Sequence, residues 1–256
     1  MKRVAGISVW LMLFAGLIVL VGFIEKEHKK ITCKSIAILI DYNNADPLID
    51  EHMIKKSVHA SFDTLVGRRI SEINLADMEQ LVQKNVFIAN AQVFHTLTGH
   101  LKIKVIQKQP LLRVINEKNQ SYYVDMSGSA MPVKQGFSSR ILVASGHIPY
   151  PYADTLNLIK NENFPILNDL HRLALHIKND EFLNAMIEQI YVTQDKEFEL
   201  VPKLGKHIIQ FGDISDMDLK FEKLIVFYRY GIGKAGWGTY KTINLKFRDQ
   251  VVCSKN

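Results

Sequence analysis

Hydrophobic and polar positions change their rhythm twice along this chain. From Val4 to Ile24 no charged side chain interrupts an apolar run of 21 residues. At about 1.5 Å rise per residue it spans roughly 30 Å of hydrocarbon, which predicts a membrane-spanning helix. The run ends Val21-Gly22-Phe23-Ile24 against Glu25-Lys26-Glu27 with no small-x-small cleavage site, so it reads as a retained anchor rather than a signal peptide. Residues 1–3 carry Lys2 and Arg3 and form a short cytoplasmic tail, which leaves everything after Glu25 on the far side.

After a polar stalk over Glu25–Lys30, Ser35–Ile40 is apolar and rich in β-branched residues, then breaks into a turn at Asp41–Pro47. Asp50 can cap a helix with Met53, Ile54 and Val58 on one face; Asn74 can cap another with Leu75, Met78, Leu81 and Val82. Gly67-Arg68-Arg69 lies between them as an exposed loop. A strand over Ala91–Leu97, a turn at Thr98-Gly99, and Leu101, Ile103 and Val105 alternating with Lys102 and Lys104 complete a strand-helix-helix-strand-strand order.

The second half is dominated by short alternating runs. Tyr122-Tyr123-Val124-Asp125-Met126-Ser127-Gly128 predicts a strand entering an Asp-x-x-Gly turn, and Arg140–Gly146 a further strand. Ile166, Leu170, Leu173, Ala174 and Ile177 share a helix face, extended by Phe182, Leu183 and Met186. Ile187–Thr193, Glu197–Val201 and His207–Phe211 read as a meander. Ser215, with Asp218 three residues later, opens a helix bearing Phe221, Leu224, Ile225 and Tyr228. A last strand, Thr242–Phe247, precedes a tail containing Val251-Val252-Cys253. In that strand Ile243, Leu245 and Phe247 would face the core, and Thr242, Asn244, Lys246 and Arg248 would face out.

Charge and chemistry narrow the function more by exclusion than by motif. A net charge of +6 comes from 32 basic residues mixed with 26 acidic ones, without the basic-aromatic stripe expected of a nucleic-acid surface. Cys33 and Cys253 have no metal or redox spacing. Gly231-x-Gly233-x-x-Gly236 matches a dinucleotide fingerprint as letters, but a helix precedes it and a strand follows, the reverse of what pyrophosphate binding needs. Asp213, Asp216 and Asp218 cluster, yet an EF-hand loop starting at Asp213 would need an oxygen ligand at Met217 and glycine at Asp218. His171 and His176, five apart, fall on different helix faces. No cofactor, metal or small-molecule substrate is expected.

Several residue patterns carry a resemblance. Gly67-x-x-Ile70, Val86-x-x-x-x-Ala91-x-Val93 and Leu101-x-Ile103-x-Val105 resemble a POTRA module. Tyr122-x-x-Asp125-x-x-Gly128, Gly236-Trp237-Gly238-Thr239-Tyr240 and the run from Ile243 to Cys253 resemble the FtsQ/DivIB family of bacterial cell-division proteins, in the version of Bacteroidetes-type bacteria. The fold class expected is α+β: a transmembrane helix (4–24), a β-α-α-β-β POTRA domain (31–115) and a mainly antiparallel β domain with flanking helices (120–256). The resemblance implies a non-enzymatic, single-pass scaffold of the inner membrane at the septum. It would recruit FtsB-like, FtsL-like and FtsK-like partners, the first through the terminal strand region. Tyr240, Thr242, Asn244, Lys246, Phe247, Arg248, Gln250, Val251 and Val252 are the candidate partner-binding residues. Gly67, Arg68, Arg69 and Ile70 form a candidate second docking surface. The alternative is an envelope hydrolase with scattered catalytic residues.

The topology is testable directly: a reporter that works only outside the cytoplasm, fused after Asn256, should be active, and the mature chain should keep its N-terminus ahead of Val4. Activity of a cytoplasm-only reporter at that position would refute the orientation.

Overall fold

A computed structural model describes residues 12–17, 31–136, 140–154, 156–158, 163–232 and 236–255. Residues 12–17 are helical, with Met12, Leu13, Phe14 and Leu17 exposed; the rest of the expected anchor over Val4–Ile24 lies outside the described residues. Among the described residues no helix is long and apolar enough to cross a membrane. The chain forms two compact units, Met1–Asn43 with Pro47–Gln107, and Asn44–Asp46 with Lys108–Asn256.

The first unit runs β1 (Ser35–Asp41), α1 (Glu51–Ser61), α2 (Leu75–Gln83), β2 (Ile88–His95) and β3 (His100–Gln107), with sheet order β1-β3-β2. β1 lies parallel to β3, and β2 antiparallel to it. Alternation decides the layers: Leu101, Ile103 and Val105 are fully buried on one face of β3, and the buried stripes Ile54 and Val58 of α1 and Met78 and Val82 of α2 join that core. Asp50 accepts the Met53 N–H at 2.8 Å and Asn74 the Asp77 N–H at 3.2 Å, so both caps form where the sequence places them. Leu81, by contrast, is only half-buried, because the helix turns Met78 and Val82 fully inward instead. The buried side-chain carbonyl of Gln107 accepts the N–H groups of Leu48 (2.6 Å) and Ile49 (3.1 Å), tying the end of β3 to the approach of α1. On the outer side of β2, Gln83 accepts the Ala91 N–H (2.7 Å) and Glu79 the Val93 N–H (2.8 Å), so α2 covers that edge.

The second unit runs β4 (Pro110–Ile115), β5 (Ser121–Asp125), β6 (Ala130–Pro132), β7 (Leu142–Gly146), α3 (Pro165–Asn179), α4 (Glu181–Met186), β8 (Ile187–Val192), β9 (Phe198–Pro202), β10 (Ile208–Gly212), α5 (Met217–Phe227), β11 (Tyr240–Asn244) and β12 (Val252–Lys255). They make a nine-stranded sheet of order β12-β11-β10-β9-β8-β7-β4-β5-β6. Most neighbours are antiparallel, but β4–β7, β7–β8 and β10–β11 are parallel. Leu170, Leu173 and Ile177 of α3 and Phe221 and Leu224 of α5 bury with Val114, Ile190, Leu200, Ile209 and Ile243 of the sheet. The buried Asp125 carboxylate accepts both the N–H and the hydroxyl of Ser127 and the N–H of Ser129, which fixes the Asp-x-x-Gly turn with Gly128 at φ 76°. β6, at one end of the sheet, is covered: Ala130 donates to the Leu156 carbonyl and Leu158 to that of Gly128.

Four expectations are corrected. β4 pairs with β5 and β7, so the first unit ends at Gln107 rather than at 115. Asp180, extended at ψ 120°, splits the long helix in two and caps the second by accepting the Leu183 N–H. Ser215 and Asp218 form no capping box: α5 starts at Met217 after a left-handed Asp216, and the Ser215 hydroxyl donates to Asp213. The strand expected over Thr242–Phe247 is Tyr240–Asn244, because the Asn244 side chain takes the Lys246 N–H (2.9 Å) and turns the chain out; Leu245 is buried, but Phe247 is 48 % exposed.

Replacing Ile103 by Ala should cost about 2–5 kcal/mol, as buried large-to-small changes do, and Leu81→Ala distinctly less. Denaturant titration of the two variants checks the order; equal losses would misplace the helix face.

Candidate partner-binding edge

β12 is the last strand of the nine-stranded sheet and, among the described residues, pairs only with β11. Its outer row of backbone groups has no strand beside it among the described residues, and Val252, Ser254 and Lys255 are exposed. Thr242 and Ser254 join their hydroxyls at 2.6 Å across the β11–β12 pair. The other end of this sheet is covered at β6, so β12 is the edge left available for an added strand.

The segment between β11 and β12 is held from below by α5. The Lys223 ammonium donates to the carbonyls of Leu245 (3.2 Å), Phe247 (2.5 Å) and Arg248 (3.2 Å), using all three of its protons on backbone that no sheet satisfies. Leu245 donates to the Gln210 carbonyl and Lys246 pairs with Glu197 at 2.9 Å. One turn before Lys223, the buried Lys220 ammonium lies 3.0 Å from the Asp213 carboxylate and 5.1 Å from the Phe211 ring centroid. Hydrogen bonds from Ser215 and then Lys220 hold the Asp213 carboxyl down at about 2. Beside β12, Leu219, Glu222, Lys223, Val226 and Phe227 of α5 and Asp249, Gln250 and Val251 line a groove of about 410 Å³. Leu219 and Val226 give it an apolar, partly exposed wall. An extended segment pairing with β12 could seat an apolar side chain there.

The candidate residues are therefore spread over two strands and their connection. Tyr240, Thr242 and Asn244 sit one strand in from the edge, in β11. Lys246, Phe247, Arg248 and Gln250 lie exposed in the connection, Val251 lines the groove, and Val252 begins β12. Lys246 is already committed, through its N–H to Asn244 and through its ammonium to Glu197. Cys253, Ser254 and Lys255 belong to the edge strand and Leu219 and Val226 to the groove; the β-branched Val251-Val252 pair is the sequence signal that points to them. In the first unit Ile70 is buried, with its N–H on the Ile31 carbonyl, which removes it from any docking surface. Arg68 and Arg69 remain exposed, and Gly67 (φ 90°) donates to the Cys33 carbonyl.

The remaining candidates have structural partners. Gly231 lies in a π-helical turn (Tyr228–Ile232) after α5, and Gly236 leads towards β11, so helix precedes strand. Asp218 pairs with His176, and His171 bonds the Asp125 carbonyl. Both cysteines are free thiols, raised by burial. Among the described residues no group of three or more metal-ligating side chains forms. His207, buried just before β10, has Nε2 2.7 Å from the Tyr228 hydroxyl and, among the described residues, no hydrogen-bond partner at Nδ1, and Trp237 stacks on Tyr228 with centroids 5.7 Å apart. Burial lowers the His207 pKa.

A family model described as FtsQ/DivIB, C-terminal related, matches residues 109–254, and one described as a POTRA-like domain matches residues 31–106. No curated protein matches the chain.

Because the fold keeps His207 neutral, the unfolded chain takes up the proton first as pH falls through about 6.5. Stability present above that pH is therefore lost on acidification. The drop in unfolding midpoint between about pH 7.5 and about pH 5.5 should be smaller for His207→Gln than for the wild type. Identical pH profiles would show that His207 is not buried neutral.

Proposed function

Since the chain belongs to the FtsQ/DivIB family, with its related C-terminal domain filling more than half the length, we propose that it works as a membrane-anchored scaffold that recruits division partners through the β12 edge. The family itself is one of cell-division scaffolds acting at the division-site membrane. In our reading Val4–Ile24 is the anchor and the two units stand outside the cytoplasm. An FtsB-like protein, associated with an FtsL-like one, adds a strand to β12 and links early to late division proteins. An FtsK-like protein would be a further partner of the same assembly.

One observation supports the reading above the rest: of the two ends of the nine-stranded sheet, β6 is covered by residues 156–158 and β12, among the described residues, has only β11. Main-chain pairing would supply affinity there, and the groove beside α5 selectivity. Nothing in this mode needs a bond to be made or broken. The chemistry is recognition: backbone N–H and C=O groups waiting in register, a connection locked by Lys223, and exposed side chains at Arg248 and Val252.

Recovery of FtsB- and FtsL-like proteins with the anchored chain from detergent-solubilised membranes tests it. Removing residues 252–256 should lower that recovery about tenfold or more, while Arg248→Glu, a surface change costing less than about 0.5 kcal/mol of stability, should lower it more modestly. Melting curves separate lost binding from lost fold. Undiminished capture by both well-folded variants would move the binding site elsewhere.

A further inference from the structure

The chain enters the first unit at Ile31, beside the loops that carry Gly67 and Gly99. Residues 31–34 are gripped by two loops. From one side the Arg68 carbonyl accepts the Cys33 N–H (2.8 Å), Gly67 donates to the Cys33 carbonyl (2.7 Å), Ile70 donates to the Ile31 carbonyl (2.9 Å), and Thr32 bridges Arg69. From the other side the Gly99 carbonyl accepts the Lys34 N–H (2.8 Å). The fit there is close: a Cβ on Gly99 (φ 89°) would lie 2.4 Å from the Thr32 carbonyl oxygen. The tips of these loops carry exposed apolar side chains, Val66 at 53 % and Leu97 at 73 %. Lys34, Arg68 and Arg69 are exposed around them, and Lys29 and Lys30 precede them in sequence. The acidic residues of the α1–α2 connection are Asp63 and Glu72, the latter 4.0 Å from Arg68, and Glu25 and Glu27 precede Lys29 and Lys30 in sequence.

We propose that this end of the first unit rests on the surface of an anionic phospholipid bilayer, with Leu97 and Val66 entering the headgroup region and Lys34, Arg68 and Arg69 meeting lipid phosphates. The proposal rests on reading Val4–Ile24 as the anchor. From Ile24 to Ile31 the chain has seven steps, so even fully extended it reaches only roughly 25 Å, which keeps the end that receives it within that distance of the bilayer. Exposed large apolar side chains at loop tips are costly against water but gain free energy at a lipid interface, and basic side chains beside them find phosphate there. Together these assign Arg68 and Arg69, left without an interior role by the burial of Ile70, to a lipid surface rather than to a protein partner.

Hydrogen exchange of the full chain in nanodiscs tests this. One set of discs contains phosphatidylglycerol, the other phosphatidylcholine alone. The Leu97 and Thr98 amides, which sit in the tip of the β2–β3 turn, should exchange at least several-fold more slowly in the phosphatidylglycerol discs. The double change Arg68→Glu with Arg69→Glu should abolish that difference, each basic residue lost weakening the contact about fivefold, or about 1 kcal/mol. Unchanged exchange across β3 confirms that the variant is folded; if it is not, the comparison of the two lipids with the wild type alone decides. Equal exchange in both lipids overturns the proposal, and so does slowing that appears only when other division proteins are added, which would make this a protein-docking end. A chain that fails to stay with the discs after a high-salt wash refutes the anchor instead, and with it the short tether.

Discussion

A backbone N–H or C=O removed from water must find a partner, and an open sheet has two outer rows of such groups that its own strands cannot satisfy. This constraint explains why the two sheets are finished so differently. In the first unit, side chains of α2 reach over β2 and act as a substitute strand, Gln83 and Glu79 each accepting one N–H. In the second, residues 156–158 run alongside β6 and take its outward bonds in the ordinary backbone manner. β12 receives neither treatment among the described residues. Among the described residues of the nine-stranded sheet, β12 is the end at which an added strand would meet backbone groups with no strand beside them.

Keeping β12 open makes the connection before it harder to hold, since residues 245–251 leave the sheet and return within a few residues. Lys223 resolves this with a single ammonium shared among three carbonyls, and Lys220 anchors the start of the same helix through Asp213. Both lysines therefore serve as internal hydrogen-bond donors more than as surface charges. Their helix also lines the groove beside the edge, so anything that shifts α5 shifts the floor of the groove and the support of the strand together.

Much of the fold was legible in the sequence wherever one local rule decided the outcome. The period-two alternation of Leu101, Ile103 and Val105 and the caps at Asp50 and Asn74 are local, and each element they imply is present. What could not be read depends on partners distant in sequence. β4 looks like the tail of the first unit until its pairing with β7 is known, and Phe247 continues the alternation of Ile243 and Leu245 until Asn244 captures the Lys246 N–H. The candidate edge suffered most, because the strand with the right alternation, β11, proved to lie one place in, and the true edge is a short run of mixed polarity. Burial of Ile70 likewise depends on a backbone bond to Ile31, thirty-nine residues earlier in numbering, that no local pattern announces.

The parallel pairing of β1 with β3 imposes an order on how the protein comes into being. Ser35 is aligned with His100 and Asp41 with Ile106, so the first strand of its unit finds its only neighbour in the last. During synthesis β1 emerges early, close behind the apolar segment, and must wait with its backbone unpaired until more than sixty further residues have followed. Long-range closure of this kind is slow compared with hairpin formation, and an apolar strand waiting in the open is prone to pair wrongly. The β2–β3 hairpin can form first and offer a ready template, to which β1 then docks. The register therefore favours closing the unit from its last strands back to its first, with Gln107 tying β3 to Leu48 and Ile49.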